Sequence, residues 1–136
     1  MKLGGHFVIK LVALAYIAHP YSATSSELRK RNVMLAARLS TLVNSAGLAT
    51  ISPLQESRGR SHALSESGWI HNGLITLYKC DCVVLPTHYR SSRGCVTEYE
   101  LASELSIPTF FAELTAEKTW KLSEYMLAWI KERQCQ

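Results

Sequence analysis

The sequence lacks the long apolar runs of a membrane protein and the cysteine spacing of a metal or disulfide scaffold. No stretch approaches the roughly 20 apolar residues that span a bilayer as a helix. The four cysteines are Cys80, Cys82, Cys95 and Cys135, and no second pair stands at zinc-site spacing from Cys80-x-Cys82. We therefore expect no membrane partner, no metal and no other cofactor, and reduced thiols in a cytoplasmic setting.

The sequence also lacks a long run of charge of one sign. Charged residues make up 19% of the chain and the net charge is +4. The densest basic run, Arg29 to Arg31, is three residues long and has no aromatic residue within it. This pattern is more typical of a solvated helix face than of a nucleic-acid interface. A modest basic excess also suits a small phosphate-bearing ligand, so we expect a small molecule rather than a nucleic acid.

Length and hydrophobicity indicate one folded unit. A chain of 136 residues that is 47% hydrophobic predicts a single domain over 1–136 with its own core. Residues 7–18 are apolar apart from Lys10 and resemble a signal peptide at first sight. Because Lys10 interrupts the apolar run, and because the fold needs a first strand there, we interpret the segment as a strand.

Strand-like and helix-like segments alternate along the chain. Apolar runs predict strands at Val12–Ala18, Leu48–Ser52, Cys82–Leu85 and Pro108–Phe111. Helical spacing or capping residues predict helices over about 28–46, 69–79, 95–105 and 115–133, with a long loop at Leu54–Glu66. The order predicts an α/β fold: a three-layer, Rossmann- or flavodoxin-like parallel sheet of four to five strands with helices on both faces.

Ligands of such sheets bind beyond the carboxyl ends of the strands. There the sequence places Ser91, Ser92, Arg93 and Gly94 directly before a helix, where free backbone N–H groups and the helix dipole favour an anion. Glu98 follows about one turn later. A carboxylate beside a phosphate site suits chemistry on a sugar, although a capped helix with a solvated Glu98 is the plainer alternative.

The order of these motifs resembles the nucleoside 2-deoxyribosyltransferase-like superfamily, which includes nucleotide N-glycosidases. The resemblance covers roughly residues 12–111. It is carried by Tyr16 to Ser22, Gly47, Ser52-Pro53, Trp69, Cys80-Asp81, Ser92 to Cys95 with Glu98, Ala102 and Ile107-Pro108.

The resemblance implies a reaction and assigns roles in it. Glu98 would attack the anomeric carbon of a (deoxy)nucleoside monophosphate and expel the base, with Tyr16 orienting the carboxylate. It also implies a homo-oligomer, a dimer or a tetramer. The candidate substrate and phosphate contacts are His19, Pro20, Tyr21, Ser91, Ser92, Arg93 and Gly94. Arg31 is a further candidate because of its charge, with a solvated surface position as the plainer alternative.

Two positions depart from the family pattern. His19 stands where many relatives have glycine. Asn72, or Gly73 if the count is shifted by one, stands where relatives carry an aspartate that manages the proton of the base. Asparagine cannot act as an acid. The site therefore either protonates the base with another group, or the protein binds a nucleotide without turning it over. A third interpretation is an interaction protein whose last helix presents Trp120, Tyr125 and Trp129.

Overall fold

The computed structural model describes residues 2–3, 6–7, 11–53 and 73–136. The chain is a mixed α/β protein built on a five-stranded sheet and a separate two-stranded hairpin. The hairpin pairs β1 with β2. The strands are β1 (Lys2–Leu3), β2 (His6–Phe7), β3 (Leu14–Ile17), β4 (Ala49–Ile51), β5 (Cys82–Pro86), β6 (Thr109–Leu114) and β7 (Trp120–Leu122).

The five-stranded sheet is mostly parallel, with the strand order β4-β3-β5-β6-β7. Strand β3 is an interior strand, and it pairs in parallel with both β4 and β5. Strand β6 continues the parallel set, whereas β7 runs antiparallel to β6 at the edge. The carboxyl ends of β3, β4, β5 and β6 therefore meet along one edge of the sheet, as the apolar runs predicted.

Three helices begin at serine caps. They are α1 (Ser26–Ala46), α2 (Arg93–Glu104) and α3 (Glu124–Gln134), capped by Ser25, Ser92 and Ser123. In each case the serine side chain accepts a backbone N–H of the first turn, which would otherwise lack a partner. Helix α1 ends at Gly47, whose φ of 117° is one that glycine adopts without strain. Residues 73–78 form a further helical segment.

Alternate residues of the central strands belong to two different hydrophobic clusters. The first cluster joins the odd-numbered residues of β3 to α1 and α3, and includes Ile17, Leu39 and Met126. The second joins the even-numbered residues of β3 to α2 and the helical segment 73–78, and includes Tyr16 and Leu77. Because successive strand residues point to opposite sides, the two clusters lie on opposite faces of the sheet.

The helix expected over 115–133 is wrong in its first half. Residues 120–122 instead form β7, with Trp120 and Leu122 buried and Lys121 exposed between them. A tight turn connects β6 to β7, closed by a hydrogen bond of 2.8 Å from Thr115 N to Thr119 O. An alternation of two apolar residues is too short to outweigh the helical spacing that follows it, so the hairpin became visible only through its pairing with β6.

The amino end of β3 is fixed by Asp81. Its Oδ2 accepts a hydrogen bond of 2.8 Å from Leu14 N, at the end of the sheet opposite the carboxyl edge. Asp81 therefore joins the start of β5 to the start of β3. Among the described residues, no helix is both long enough and apolar enough to cross a membrane.

Candidate active site

Tyr16 and Glu98 meet near the carboxyl edge of the sheet. Tyr16 lies on the interior strand β3 and is only 1% exposed. Glu98 lies in the second turn of α2 and is partly buried. The Tyr16 hydroxyl donates a hydrogen bond to the Glu98 carboxylate. Two residues that are 82 positions apart in the chain (98 minus 16) are thus joined.

Burial and the hydrogen bond act in opposite directions on Glu98. Burial raises the pKa of its carboxyl group to about 7, although the bond from Tyr16 stabilises the charged form and lowers the pKa. Burial and the neighbouring negative charge of Glu98 raise the pKa of Tyr16 well above its ordinary value. The shared proton therefore stays on the tyrosine, and Glu98 changes its charge near neutral pH.

Cys95 lies one turn before Glu98 on the same helix. Burial, reinforced by the charge of Glu98, raises the pKa of the Cys95 thiol to about 12. The thiol is therefore neutral at pH 7 and does not compete with Glu98 as a nucleophile. All four cysteines of the chain are present as thiols.

The turn before α2 uses its two serines in local hydrogen bonds. Ser91 Oγ donates to His88 O at 3.0 Å, and Ser92 Oγ accepts from Cys95 N at 3.3 Å. Arg93 is exposed and Gly94 is partly exposed at the first turn. The helix thus starts where the sequence placed an anion site. A role for these four residues in phosphate binding stays a prediction.

Gly73 lies against the Tyr16–Glu98 pair. A Cβ atom built on Gly73 would be 2.6 Å from the Tyr16 hydroxyl oxygen and 3.6 Å from Glu98 Oε2. Asn72, the other candidate for the position of the family aspartate, lies outside the described residues. Gly73 therefore lies beside the Tyr16–Glu98 pair and contributes no side chain to it.

His19 lies on the other face of the sheet from Tyr16, in a cluster of rings. Its ring centroid is 5.7 Å from that of Trp120 and 6.2 Å from that of His88. The buried His19 ring makes a 2.8 Å hydrogen bond through Nδ1 to Pro20 O, which fixes the proton on Nδ1. Its Nε2 is buried and has no hydrogen-bond partner among the described residues. Burial lowers the pKa of His19 to about 4.

The remaining predicted contacts surround the segment that follows β3. Tyr21 is 39% exposed and its carbonyl accepts a hydrogen bond of 3.0 Å from Asn32 Nδ2. Arg31 is exposed on α1, while its neighbour Arg29 donates a hydrogen bond of 2.9 Å to Ala23 O. Helix α1 therefore holds the segment in place through Arg29 and Asn32.

Sequence reasoning missed the residues whose importance comes from packing. It gave Trp120 to the terminal helix, whereas Trp120 Nε1 donates a hydrogen bond of 2.8 Å to Leu35 O across the first cluster. It gave no role to His88, which stacks on Trp120. The alternation Trp120, Lys121, Leu122 before the serine cap at Ser123 is a local sign of a strand, but it is too short to decide the assignment without the pairing to β6.

Across the described part of the chain, no group of three or more metal-ligating side chains lies together. The sequence matches no protein-family model, and no curated protein matches it.

Proposed function

We propose that the protein cleaves or transfers the N-glycosidic bond of a (deoxy)nucleoside monophosphate, with Glu98 as the nucleophile. The observation that carries the proposal is the hydrogen bond from Tyr16 to Glu98 near the carboxyl edge of the sheet. A partly buried carboxylate with an oriented donor, close to the start of a helix, has the arrangement expected for attack on a sugar carbon beside a phosphate.

The reaction follows from the charge that Glu98 carries. A Glu98 oxygen forms a bond to the anomeric carbon, while the bond from that carbon to the base nitrogen breaks and its electron pair leaves with the base. The base takes a proton from solvent. Water then attacks the same carbon, releases the sugar phosphate and a proton, and restores the carboxylate. If a second base attacks instead, the outcome is transfer.

Tyr16 contributes orientation rather than a proton. Its raised pKa keeps it protonated throughout the physiological range. Its hydroxyl therefore stays a donor to one Glu98 oxygen and leaves the other oxygen for the sugar. The transition state resembles an oxocarbenium ion, which the negative carboxylate stabilises.

The pH dependence of the reaction follows from the pKa of Glu98. The nucleophile must be ionised, and its pKa is about 7. We therefore expect the rate of base release to rise through neutral pH and to level off at about one unit above it.

The test is to incubate the purified protein with each common ribo- and deoxyribonucleoside 5′-monophosphate and to measure free base by chromatography. We expect base from at least one nucleotide, and none with Glu98→Gln. Absence of free base from every nucleotide, with a second free base present as acceptor and with folded protein, would contradict both hydrolysis and transfer.

The alternative function is binding or sequestration of a nucleotide without turnover. It is favoured by Gly73, since the position beside Glu98 offers no acid to protonate the base. A nucleotide that is bound without being consumed would then raise the melting temperature of the protein. At about 100 times the dissociation constant, the stabilisation should be about 2.7 kcal/mol.

We also propose a three-layer architecture, a homo-oligomeric state and a cytoplasmic location. The two clusters on opposite faces of the sheet support a three-layer, Rossmann-like arrangement. The exposed Tyr125 and Leu127 on α3 support contact between copies in a homo-oligomer, a dimer or a tetramer. The reduced thiols support a cytoplasmic location. Sedimentation at two protein concentrations would test the oligomer.

A further inference from the structure

The main chain at Gly73 approaches the Tyr16–Glu98 pair more closely than any side chain would allow. A Cβ atom there would stand 2.6 Å from the Tyr16 hydroxyl oxygen, and real Cβ atoms essentially never come within 3.0 Å of another heavy atom. The same Cβ would stand 3.8 Å from Tyr16 Cζ and 3.6 Å from Glu98 Oε2, which are ordinary contacts. Only the hydroxyl oxygen of Tyr16 therefore occupies the space that a side chain at position 73 would need.

Tyr16 has little freedom to give way. It lies on β3, between β4 and β5, and is 1% exposed. Its cluster includes Val83 from β5, Leu77 from the helical segment 73–78 and Cys95 from α2. Since protein interiors are close-packed, moving the ring away from position 73 would displace neighbours on three elements or pull the hydroxyl off Glu98.

Local preference does not account for a glycine at this position. Gly73 belongs to a helical segment, and alanine is a better helix former than glycine. The conformation at Gly73 is helical, so it does not need the positive φ that only glycine adopts easily. The close approach to Tyr16 is the feature of the structure that a glycine satisfies.

We propose that Gly73 is a positioning residue, whose missing side chain lets the Tyr16 hydroxyl reach and orient Glu98. The inference rests on the proposed function for its chemical meaning, because Glu98 is the nucleophile of that reaction. Its geometric content concerns the pair alone and can be measured without any substrate.

The test is a double-mutant cycle with Gly73→Ala and Tyr16→Phe, and the measured quantity is the pKa of Glu98. Glutamate labelled with ¹³C at the carboxyl carbon reports that pKa by NMR titration, and the resonance is assigned by its loss in Glu98→Gln. In the unchanged protein we expect a pKa of about 7. In Tyr16→Phe we expect it to rise by about 1, because a hydrogen bond that favours the charged form is lost.

Gly73→Ala should raise the pKa of Glu98 by a similar amount, because the added methyl group displaces the same hydroxyl. In the Tyr16→Phe background it should add little, because the nearest ring atom is then at an ordinary distance. The result that would overturn the proposal is an unchanged pKa in Gly73→Ala. An equal rise in both backgrounds would also overturn it, since the methyl group would then act on Glu98 directly.

Thermal stability gives a second, independent measurement. Gly73→Ala should lower the melting temperature of the unchanged protein and raise it or leave it unaltered in Tyr16→Phe. If Gly73→Ala alone does not fold, the double variant must fold for the proposal to stand, and a double variant that also fails would overturn it. Ile75→Ala is the control, since this side chain is 52% exposed in the same helical segment and should leave the pKa of Glu98 unchanged.

These outcomes separate the positioning role from the proposed function. If no nucleotide yields free base but the cycle gives the expected pattern, the N-glycosidase proposal fails and the positioning of Tyr16 by Gly73 stands. If free base is produced but Gly73→Ala changes neither the pKa of Glu98 nor the rate, the positioning proposal fails alone.

Discussion

Tyr16 and His19 lie three residues apart in the chain, and their rings are buried on opposite faces of the sheet. Tyr16 packs among the residues of the second cluster, and its hydroxyl donates a hydrogen bond to Glu98. His19 packs against Trp120 of the first cluster, and its Nε2 has no partner among the described residues. One buried polar group thus completes a pair, whereas the other carries an unused acceptor.

The comparison shows that burial can move the pKa of a group either toward neutral pH or away from it. In the Tyr16–Glu98 pair, burial raises the pKa of the acid to about 7, so the carboxyl group changes its charge near neutral pH. In the ring cluster, burial lowers the pKa of His19 to about 4, so the imidazole stays neutral. The same desolvation therefore creates a titrating group on one face and a neutral one on the other.

The largest effect should be on base release. Glu98→Gln removes the nucleophile but keeps an oxygen that accepts from Tyr16, and we expect the rate to fall by about 1000-fold or more. Single-turnover measurement with the best nucleotide checks this. Ser123→Ala, which alters only the cap of α3, should keep the rate within about twofold; a similar loss in both variants would count against a specific role for Glu98.

Glu98→Gln should also raise the free energy of unfolding at high pH. The pKa of Glu98 is about 7 in the folded protein and 4.5 ordinarily, so the folded state holds its proton more tightly. Stability is therefore lost as pH rises from 4.5 to 7. Glu98→Gln should remove this loss and stabilise the protein at pH 8 by up to about 3 kcal/mol. Urea unfolding at pH 8 and pH 5 measures it, and an equal change at both would disagree.

His19 should give a pH dependence of the opposite sign. Its pKa is about 4 in the folded protein and 6.5 ordinarily, so the unfolded chain binds the proton more tightly between these values. Its contribution is complete above pH 6.5 and declines by about 3 kcal/mol as pH falls to 4. His19→Asn, which keeps a donor for Pro20 O, should flatten this part of the profile. If the stability of His19→Asn still falls between pH 6.5 and pH 4, burial of His19 is not the cause of that fall.

Trp120→Phe should weaken the ring cluster without touching the Tyr16–Glu98 pair. It removes the hydrogen bond from Trp120 Nε1 to Leu35 O and part of a buried ring. We expect a loss of about 2 kcal/mol in the free energy of unfolding. The urea midpoint measures it. The comparison variant is Trp129→Phe, which keeps a ring against Phe110 and should cost less; the reverse order would mean that the buried hydrogen bond adds little.

The smallest effect should come from the cap of α2. Ser92→Ala and Ser123→Ala each remove one hydrogen bond to a first-turn N–H, and each should cost about 1 kcal/mol. They should differ in the presence of a nucleotide. If Ser92 also contacts phosphate, only Ser92→Ala should reduce the rise in melting temperature that the ligand produces. If the ligand raises the melting temperature equally in both variants, Ser92 acts only as the cap of α2.

Much of the fold could be predicted from the sequence because its signals are local. The buried run of β5 and the long apolar spacing of α1 each specify one element without help from the rest of the chain. Gly47 after α1 behaves as its position predicted, with a positive φ. The hairpin of β6 and β7 could not be predicted in the same way, because a three-residue strand forms only where a partner strand is already in place.

The candidate site was also predictable only in part from the sequence. The family resemblance brought Tyr16 and Glu98 forward, and the structure places them in contact. The resemblance could not decide between Asn72 and Gly73, because counting along a chain does not measure distance in space. The 2.6 Å approach of a built Cβ to Tyr16 places Gly73 beside the pair, while Asn72 lies outside the described residues.

The order of apolar runs, caps and turns by itself determined an α/β protein with a mostly parallel sheet, since each of these signals depends on neighbours within a few residues. Only the tertiary structure decided that a tyrosine, a glutamate and a glycine from three separate elements lie in contact with one another. It also decided that the neighbouring histidine faces away from them. The pKa of a side chain depends on the atoms that surround it, and those atoms come from distant parts of the chain.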